Sequence, residues 1–330
     1  MAEYINIRGQ SIEVVASDPA NPTIGQIWYN STSNTLKGGG VTAAGAWASG
    51  GNLGTARNSA AGAGTQTAGL VFGGAGPLDA TEEYNGTSWT AGGNLGTGRY
   101  AMGSAGIQTA ALSFGGYTGT ALTGATEAYD GSTWTTSPAS INTARSSLDG
   151  AGTQTSALAF GGYTGSDSAA TEEYDGSTWT TSPGSLSTAR RGLTGCGLQT
   201  AGLAFGGIFG PTTAASATEE YNGSTWTAGG NLNTARVSLA SAGTQTAGLG
   251  FGGYTLPGSG SPVTGATEEY DGSTWTTSPG SMSTARLNLA GAGTQIAGLA
   301  AGGYNGTTPT TATEEWTGAG SPQTKTITAS

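Results

Sequence analysis

The chain contains no histidine and a single cysteine, Cys196. Without histidine there can be no Cys/His zinc site and no histidine-based triad, and one cysteine cannot build a disulfide framework. Lysine is almost missing, with two residues in 330, and only 9% of the chain is charged, at a net charge of -10. No basic stripe exists to neutralise a phosphate backbone, so nucleic acid is not an expected partner. No apolar run approaches the roughly 20 residues that span a bilayer, which argues against membrane insertion. The opening "MAEYINIRGQ" lacks the basic-then-apolar order of a secretion signal, so synthesis in a cytoplasm is expected.

What is abundant is small: 62 residues are glycine, and alanine, serine and threonine make up most of the rest. That much glycine suggests collagen or disorder, but there is no Gly-X-Y triplet, and the Trp, Tyr and Phe residues recur at fixed spacing. A folded, strand-rich protein follows. Self-alignment gives six units marked by Arg57, Arg99, Arg145, Arg190, Arg236 and Arg286, spaced 42 to 50 residues apart. Periods of about 40 to 50 point to propellers or solenoids.

Each unit reads in one order: arginine, a Gly-Thr-Gln-like turn, an apolar run closed by Gly-Gly, Thr-Glu-Glu-Tyr, then tryptophan. Four strands fit it, here called a to d. Strand a follows the arginine ("RSSLDGAG"), b is the alternating "TAGLVFGG" type, c is "ATEEY" and d centres on the tryptophan. Between c and d stands Asn-Gly or Asp-Gly, as at Asn85-Gly86 and Asp175-Gly176, which predicts a tight two-residue hairpin with positive φ at its centre.

The closing Gly-Gly, the tyrosine before an Asp-Gly turn, the tryptophan five residues later and the following "LSTAR" or "MSTAR" together resemble kelch repeats over residues 41 to 316. The resemblance implies an all-β fold, a six-bladed kelch-like β-propeller. Trp47, in "GAWASGG", is a d strand that precedes any a, b or c, whereas the unit from Arg286 to Trp316 has no following tryptophan strand. The first strand is therefore expected to complete the last blade, since an open blade edge leaves backbone groups unpaired. For "TKTITAS" at the C-terminus two places stay open: that same position, or an additional edge strand.

Length variation is concentrated. From each arginine to the glycine doublet is 16 residues in all six units, while the stretch between the doublet and "TE" runs 6, 9, 8, 10, 13 and 9 residues. In an antiparallel sheet the a-to-b and c-to-d turns share one face and the variable b-to-c loops lie on the other. Loops on a rigid scaffold are common recognition sites. The candidate ligand-binding rings there are Tyr117, Tyr163, Phe209, Tyr254 and Tyr304, suited to stacking on sugars or to packing between blades.

Glutamates Glu82, Glu127, Glu172, Glu219, Glu268 and Glu314 occur once per unit, and paired carboxylates hydrolyse glycosides. Six equivalent copies argue instead for scaffold, so ion pairs with the six arginines are expected, with no catalytic residue and no cofactor. A hard cation such as calcium on the acidic rows is the alternative. The second glutamate is replaced by Ala128 in one unit, which predicts a solvated face. Tryptophans Trp47, Trp89, Trp134, Trp179, Trp226 and Trp275 are expected to pack between blades, and Cys196 to be buried and inert.

Residues 1–40 do not repeat. "INIRGQSIEVV" alternates like a strand, and "IGQIWYNSTSNTLKGGG" reads as a hairpin turning at "NSTSN". The stretch "DPANPTIGQIWYNSTSNTLK" resembles short N-terminal modules in structural proteins of tailed bacteriophages, which implies an anchor or oligomerisation segment attached to other virion proteins; a β cap on the propeller is the alternative. The expected organisation is 1–40 anchor, 41–316 propeller and 317–330 tail. The expected role is that of a non-enzymatic, homo-oligomeric virion component, a fibre, appendage or decoration that meets host-surface glycans or a surface protein. A bacterial kelch-like protein interaction module is the alternative.

Overall fold

The computed structural model describes residues 12–19, 25–41, 44–256, 262–320 and 322–327. It divides into two compact units, one of Met1–Gly45 with Thr317–Ser330 and one of Ala46–Trp316. All described secondary structure is β.

In the first unit, Glu13–Val15 pairs in parallel with Ile27–Asn30, which turns at residues 31–34 into the antiparallel strand Thr35–Val41. Asn30 makes that turn by accepting from the backbone N–H groups of Thr32 and Ser33, and Asn34 takes the left-handed φ of 51°. Of the strand expected over "INIRGQSIEVV", residues 5–11 lie outside the described residues. The C-terminal stretch takes the edge place: Pro322–Thr326 pairs antiparallel with Thr35–Val41.

Among the described residues the second unit has six four-stranded antiparallel sheets and one two-stranded ribbon, Ile208–Phe209 with Thr213–Ala214, in the b-to-c loop of the fourth. The third is typical: Asp149–Thr153 (a), Ser156–Phe160 (b), Thr171–Tyr174 (c) and Trp179–Thr181 (d), hydrogen-bonded in that order. The sixth is built of Ala290–Thr294, Ala297–Ala301 and Thr313–Thr317, and its fourth strand is Ala46–Ser49, the strand of Trp47. The other a strands are Ala61–Gly64, Gly103–Ile107, Thr194–Leu198 and Ala240–Thr244.

Strand b is buried on both faces, between its own partners and the next sheet. Leu70, Leu112, Leu158, Leu203, Leu249 and Leu299 lie in the core, as do Leu53, Leu95, Ile141, Leu186, Leu232 and Met282, each four residues before a repeat arginine. With so many small residues around them, these side chains and the aromatics supply much of the buried apolar area.

The c-to-d hairpin differs from the expected two-residue turn. Tyr84 pairs directly with Trp89, so four residues lie between them, and Asn85 N–H donates to the Ser88 carbonyl. Asn85 Oδ1 also accepts from the N–H groups of Thr87 and Ser88. Because this side chain does the turning, only Gly86 need enter positive φ, at 90°.

Candidate functional site

Two residues beyond each repeat arginine the chain turns left-handed: Ser59, Ala101, Ser147, Gly192, Ser238 and Asn288 have φ between 51° and 58°. Their backbones form a circuit. Ala101 N–H donates to the Ser59 carbonyl, Ser147 to Ala101, Gly192 to Ser147, Ser238 to Gly192, Asn288 to Ser238, and Ser59 back to Asn288, all at 2.7 to 2.9 Å. Behind the circuit, all six a strands line a narrow channel of about 230 Å³.

The variable loops begin beside this circuit. In five units the residue after the arginine is bridged to the residue after the glycine doublet: Tyr100 to Tyr117, Ser146 to Tyr163, Arg191 to Ile208, Val237 to Tyr254 and Leu287 to Tyr304; in the first, Ala75 N–H donates to the Asn58 carbonyl. The candidate tyrosines therefore ring the channel mouth on the variable side. Their exposure differs. The Tyr117 ring meets Tyr100 edge-on at 5.5 Å, and Tyr254 and Tyr304 are half-buried, whereas Tyr163 and Phe209 are 36% and 38% exposed. Tyr163 and Phe209 thus offer more open ring surface than the other three candidates.

Arg191 accompanies this pair. Its guanidinium sits over the Tyr163 ring, 5.3 Å from the centroid, and forms an ion pair with Asp167, whose other oxygen accepts the Gly210 N–H at 2.7 Å. Asp167 and Gly210 belong to the b-to-c loops of neighbouring sheets, so Arg191 and Asp167 join two loops. The sequence reading passed over Arg191, although the doubled "RR" at 190–191 was its signal: it is the one arginine of the second unit outside the repeat spacing.

The repeated polar residues face inward. Each of the six arginines has a fully buried side chain paired with the first glutamate of its own sheet, as in Arg190–Glu219 at 3.0 Å and Arg236–Glu268 at 2.8 Å. Arg57–Glu82, Arg99–Glu127, Arg145–Glu172 and Arg286–Glu314 repeat the pair. The second carboxylate oxygen accepts a backbone N–H from the strand-d-to-a connection, Ser187 for Glu219 and Asn233 for Glu268. In five of the six sheets the arginine also clamps the base of the variable loop, Arg236 donating to the carbonyls of Gly252 and Ala266; Arg145 makes no such bond. Both oxygens of Glu82, Glu127, Glu219, Glu268 and Glu314 are thereby engaged, whereas Glu172 Oε1 faces Arg145 at 3.1 Å without a hydrogen bond; among the described residues no three acidic side chains converge.

The second glutamate is not on a solvated face. Tyr84, Tyr129, Tyr221 and Tyr270 donate their hydroxyls to Glu315, Glu83, Glu173 and Glu220 of the preceding sheet. Burial, and then the carboxylate, push these four phenols up to about 12. Ala128 marks an interface without this bond, not a tolerant surface.

Each strand-d tryptophan donates from its indole nitrogen to the first threonine of strand c in the preceding sheet, Trp134 to Thr81, Trp179 to Thr126 and Trp47 to Thr267. Trp89 reaches Thr313, Trp226 reaches Thr171 and Trp275 reaches Thr218. The rings also meet phenylalanines of that sheet, Trp179 on Phe114 at 4.8 Å and Trp275 on Phe205 at 4.6 Å. A third staple escaped the sequence reading. Gln66, Gln108, Gln154, Gln199, Gln245 and Gln295 each donate to two backbone carbonyls of the preceding sheet, Gln154 to Ala111 and Tyr129. Its signal was there, a glutamine nine residues after every repeat arginine.

Cys196 lies in the channel wall, its thiol pushed up to about 12 by burial. In the first unit Asp18 accepts from Trp28 Nε1 at 3.1 Å, Asn30 Nδ2 at 2.7 Å and Lys37 Nζ at 2.6 Å. Those bonds, Lys37 first, hold its carboxyl down at about 2. The stretch 18–37 thus gathers three of its side chains around the Asp18 carboxylate, with Trp28 fully buried.

No family model and no curated relative matches the chain. Among solved structures, "Structure of YjhT", a kelch-type β-propeller, superposes with a TM-score of 0.68 at 14% identity, covering 79% of this chain and 95% of that one. The fold is propeller-like. At this identity the likeness extends to the fold alone.

Proposed function

We propose that the chain is a non-enzymatic structural component of a tailed-phage virion, a six-bladed kelch-like propeller that holds variable loops toward host-surface glycans. One observation carries the presenting role: the repeated Arg, Glu, Gln, Tyr and Trp groups are engaged within or between sheets, while the open ring of Tyr163 sits on the loop face beside Phe209 and Arg191, which break the repeat. Six blades are supported by the six-membered backbone circuit, and closure by Ala46–Ser49 in the sixth sheet and by Gln66, which donates to Gly298 and Trp316. The virion assignment rests on the resemblance of "DPANPTIGQIWYNSTSNTLK" and on nothing in the second unit.

A role without catalysis is supported by how the carboxylates are used: the first glutamates are neutralised by arginine, and the second accept from tyrosine in four interfaces. Mass spectrometry of purified particles tests the virion role, and absence of the chain from particles overturns it. Binding of the purified chain to host cells, compared with a Tyr163→Ala, Phe209→Ala double variant, tests the loop face; equal binding removes these rings from recognition. The second reading, a protein interaction module, is favoured by the exposed Ile107, Leu198 and Ile296 in or beside a-to-b turns, on the opposite face. Its signature is a stoichiometric protein partner lost on Ile107→Ser, Leu198→Ser, with particles free of the chain.

A further inference from the structure

The repetition fails at one place in the channel wall. Four residues after the repeat arginine stand Ala61, Gly103, Asp149, Thr194, Ala240 and Ala290, so only the third sheet carries a carboxyl there. Asp149 reaches the next sheet. Its Oδ1 accepts the Gly150 N–H at 2.8 Å, and its Oδ2 accepts the Gly195 N–H at 2.8 Å and lies 2.9 Å from Thr194 Oγ1. Thr194 Oγ1 in turn lies 3.0 Å from Ser241 Oγ, which is 2.7 Å from the Gly195 carbonyl. Three oxygen-to-oxygen contacts thus run from the third sheet to the fifth.

Each hydroxyl brings one proton and an ionised carboxylate brings none. With Asp149 ionised, two protons serve three contacts, and one pair of oxygens faces without a hydrogen between them. With Asp149 protonated all three are filled, in the order Asp149 to Thr194 to Ser241 to the Gly195 carbonyl. We propose that Asp149, Thr194 and Ser241 form a proton-binding relay that takes up one proton at Asp149 and then ties three neighbouring a strands with an unbroken run of hydrogen bonds.

The surroundings suit such a site. Cys196 is the other titratable side chain lining the channel, and it stays a neutral thiol. The strands packed on Asp149–Thr153, namely Gly103–Ile107, Ser156–Phe160 and Thr194–Leu198, bring no other ionisable group. Enclosure raises the Asp149 carboxyl from 3.8 to about 6, against the pull of its N–H and hydroxyl donors. A carboxyl raised on folding favours the native state while protonated, so its contribution is full below pH 3.8 and is lost as the pH rises through about 6.

Carboxyl-carbon NMR of the full chain labelled in aspartate tests the relay. Asp149→Ala, which copies the alanine of three other sheets, assigns the resonance. The expected midpoint for Asp149 is near 6, against 3.8 for an ordinary aspartate. Ser241→Gly, which copies the residue of the four sheets that have glycine there, removes only the far end of the relay and should lower that midpoint without touching Asp149. A midpoint in the ordinary carboxylate range overturns the proposal, and so does a raised midpoint that Ser241→Gly leaves in place.

Discussion

The two ends of each sheet in the second unit differ in what their side chains do. Toward the a-to-b and c-to-d turns, glutamine, tryptophan and tyrosine all reach into the preceding sheet, and their partners recur at equivalent positions. Toward the b-to-c loops the arginine clamps the loop's base in five of the six sheets, and beyond it both length and contacts change from sheet to sheet: a tyrosine pair in the second, Tyr163 with Arg191 at the third and fourth. Equal sheets must present equal edges to one another, so the interface residues cannot drift. The loops meet no such demand, and this freedom is what makes them available for recognition.

The sharpest way to break the comparison is to remove an element on which every sheet depends. Deleting Ala46–Ser49 leaves the sixth sheet without its fourth strand and the fifth without its indole donor, and should abolish the cooperative unfolding transition seen by circular dichroism. Next comes a single buried pair. Glu219→Ala strands the Arg190 guanidinium and should cost about 3 to 5 kcal/mol in urea unfolding; a loss below about 1 kcal/mol would show that the pair is not what fixes the loop base. Smaller again is Gln154→Ala, which frees two carbonyls and should cost about 1 to 3 kcal/mol.

Alkali sharpens the comparison without a mutation. The four interface phenols titrate near 12 in the folded chain and at 10 when unfolded, so folding holds their protons. Their contribution is intact below pH 10 and is lost as the pH rises toward 12. Thermal unfolding between pH 9 and 12 should show the loss beginning near 10, coincident with tyrosinate absorbance at 295 nm.

The parts legible in the sequence were those that local chemistry or repetition announces. Alternating b strands, Asx-Gly turns and one arginine and one glutamate per unit each carry their own signal. What was not legible depends on the neighbouring sheet. Ala101 and Ser147 look like ordinary strand residues, and only the circuit of hydrogen bonds demands their left-handed backbone. The second glutamate looked solvated because one unit lacks it, but its partner is a tyrosine more than 40 residues away in sequence. Among the candidate ligand residues, spacing found the tyrosines of the channel mouth but could not tell the open ring of Tyr163 from Tyr117, whose partner Tyr100 stands outside the repeated pattern.

The central claim is that repeated residues hold the fold while the variable face stands free of it, and two variants of the third sheet test it side by side. Trp179 is 5% exposed and stacks on Phe114; Tyr163 is 36% exposed beside Arg191. Urea unfolding should show Trp179→Ala losing about 3 to 5 kcal/mol and Tyr163→Ala less than about 1 kcal/mol. Equal losses, or a larger one for Tyr163→Ala, would contradict the division of labour between the two faces.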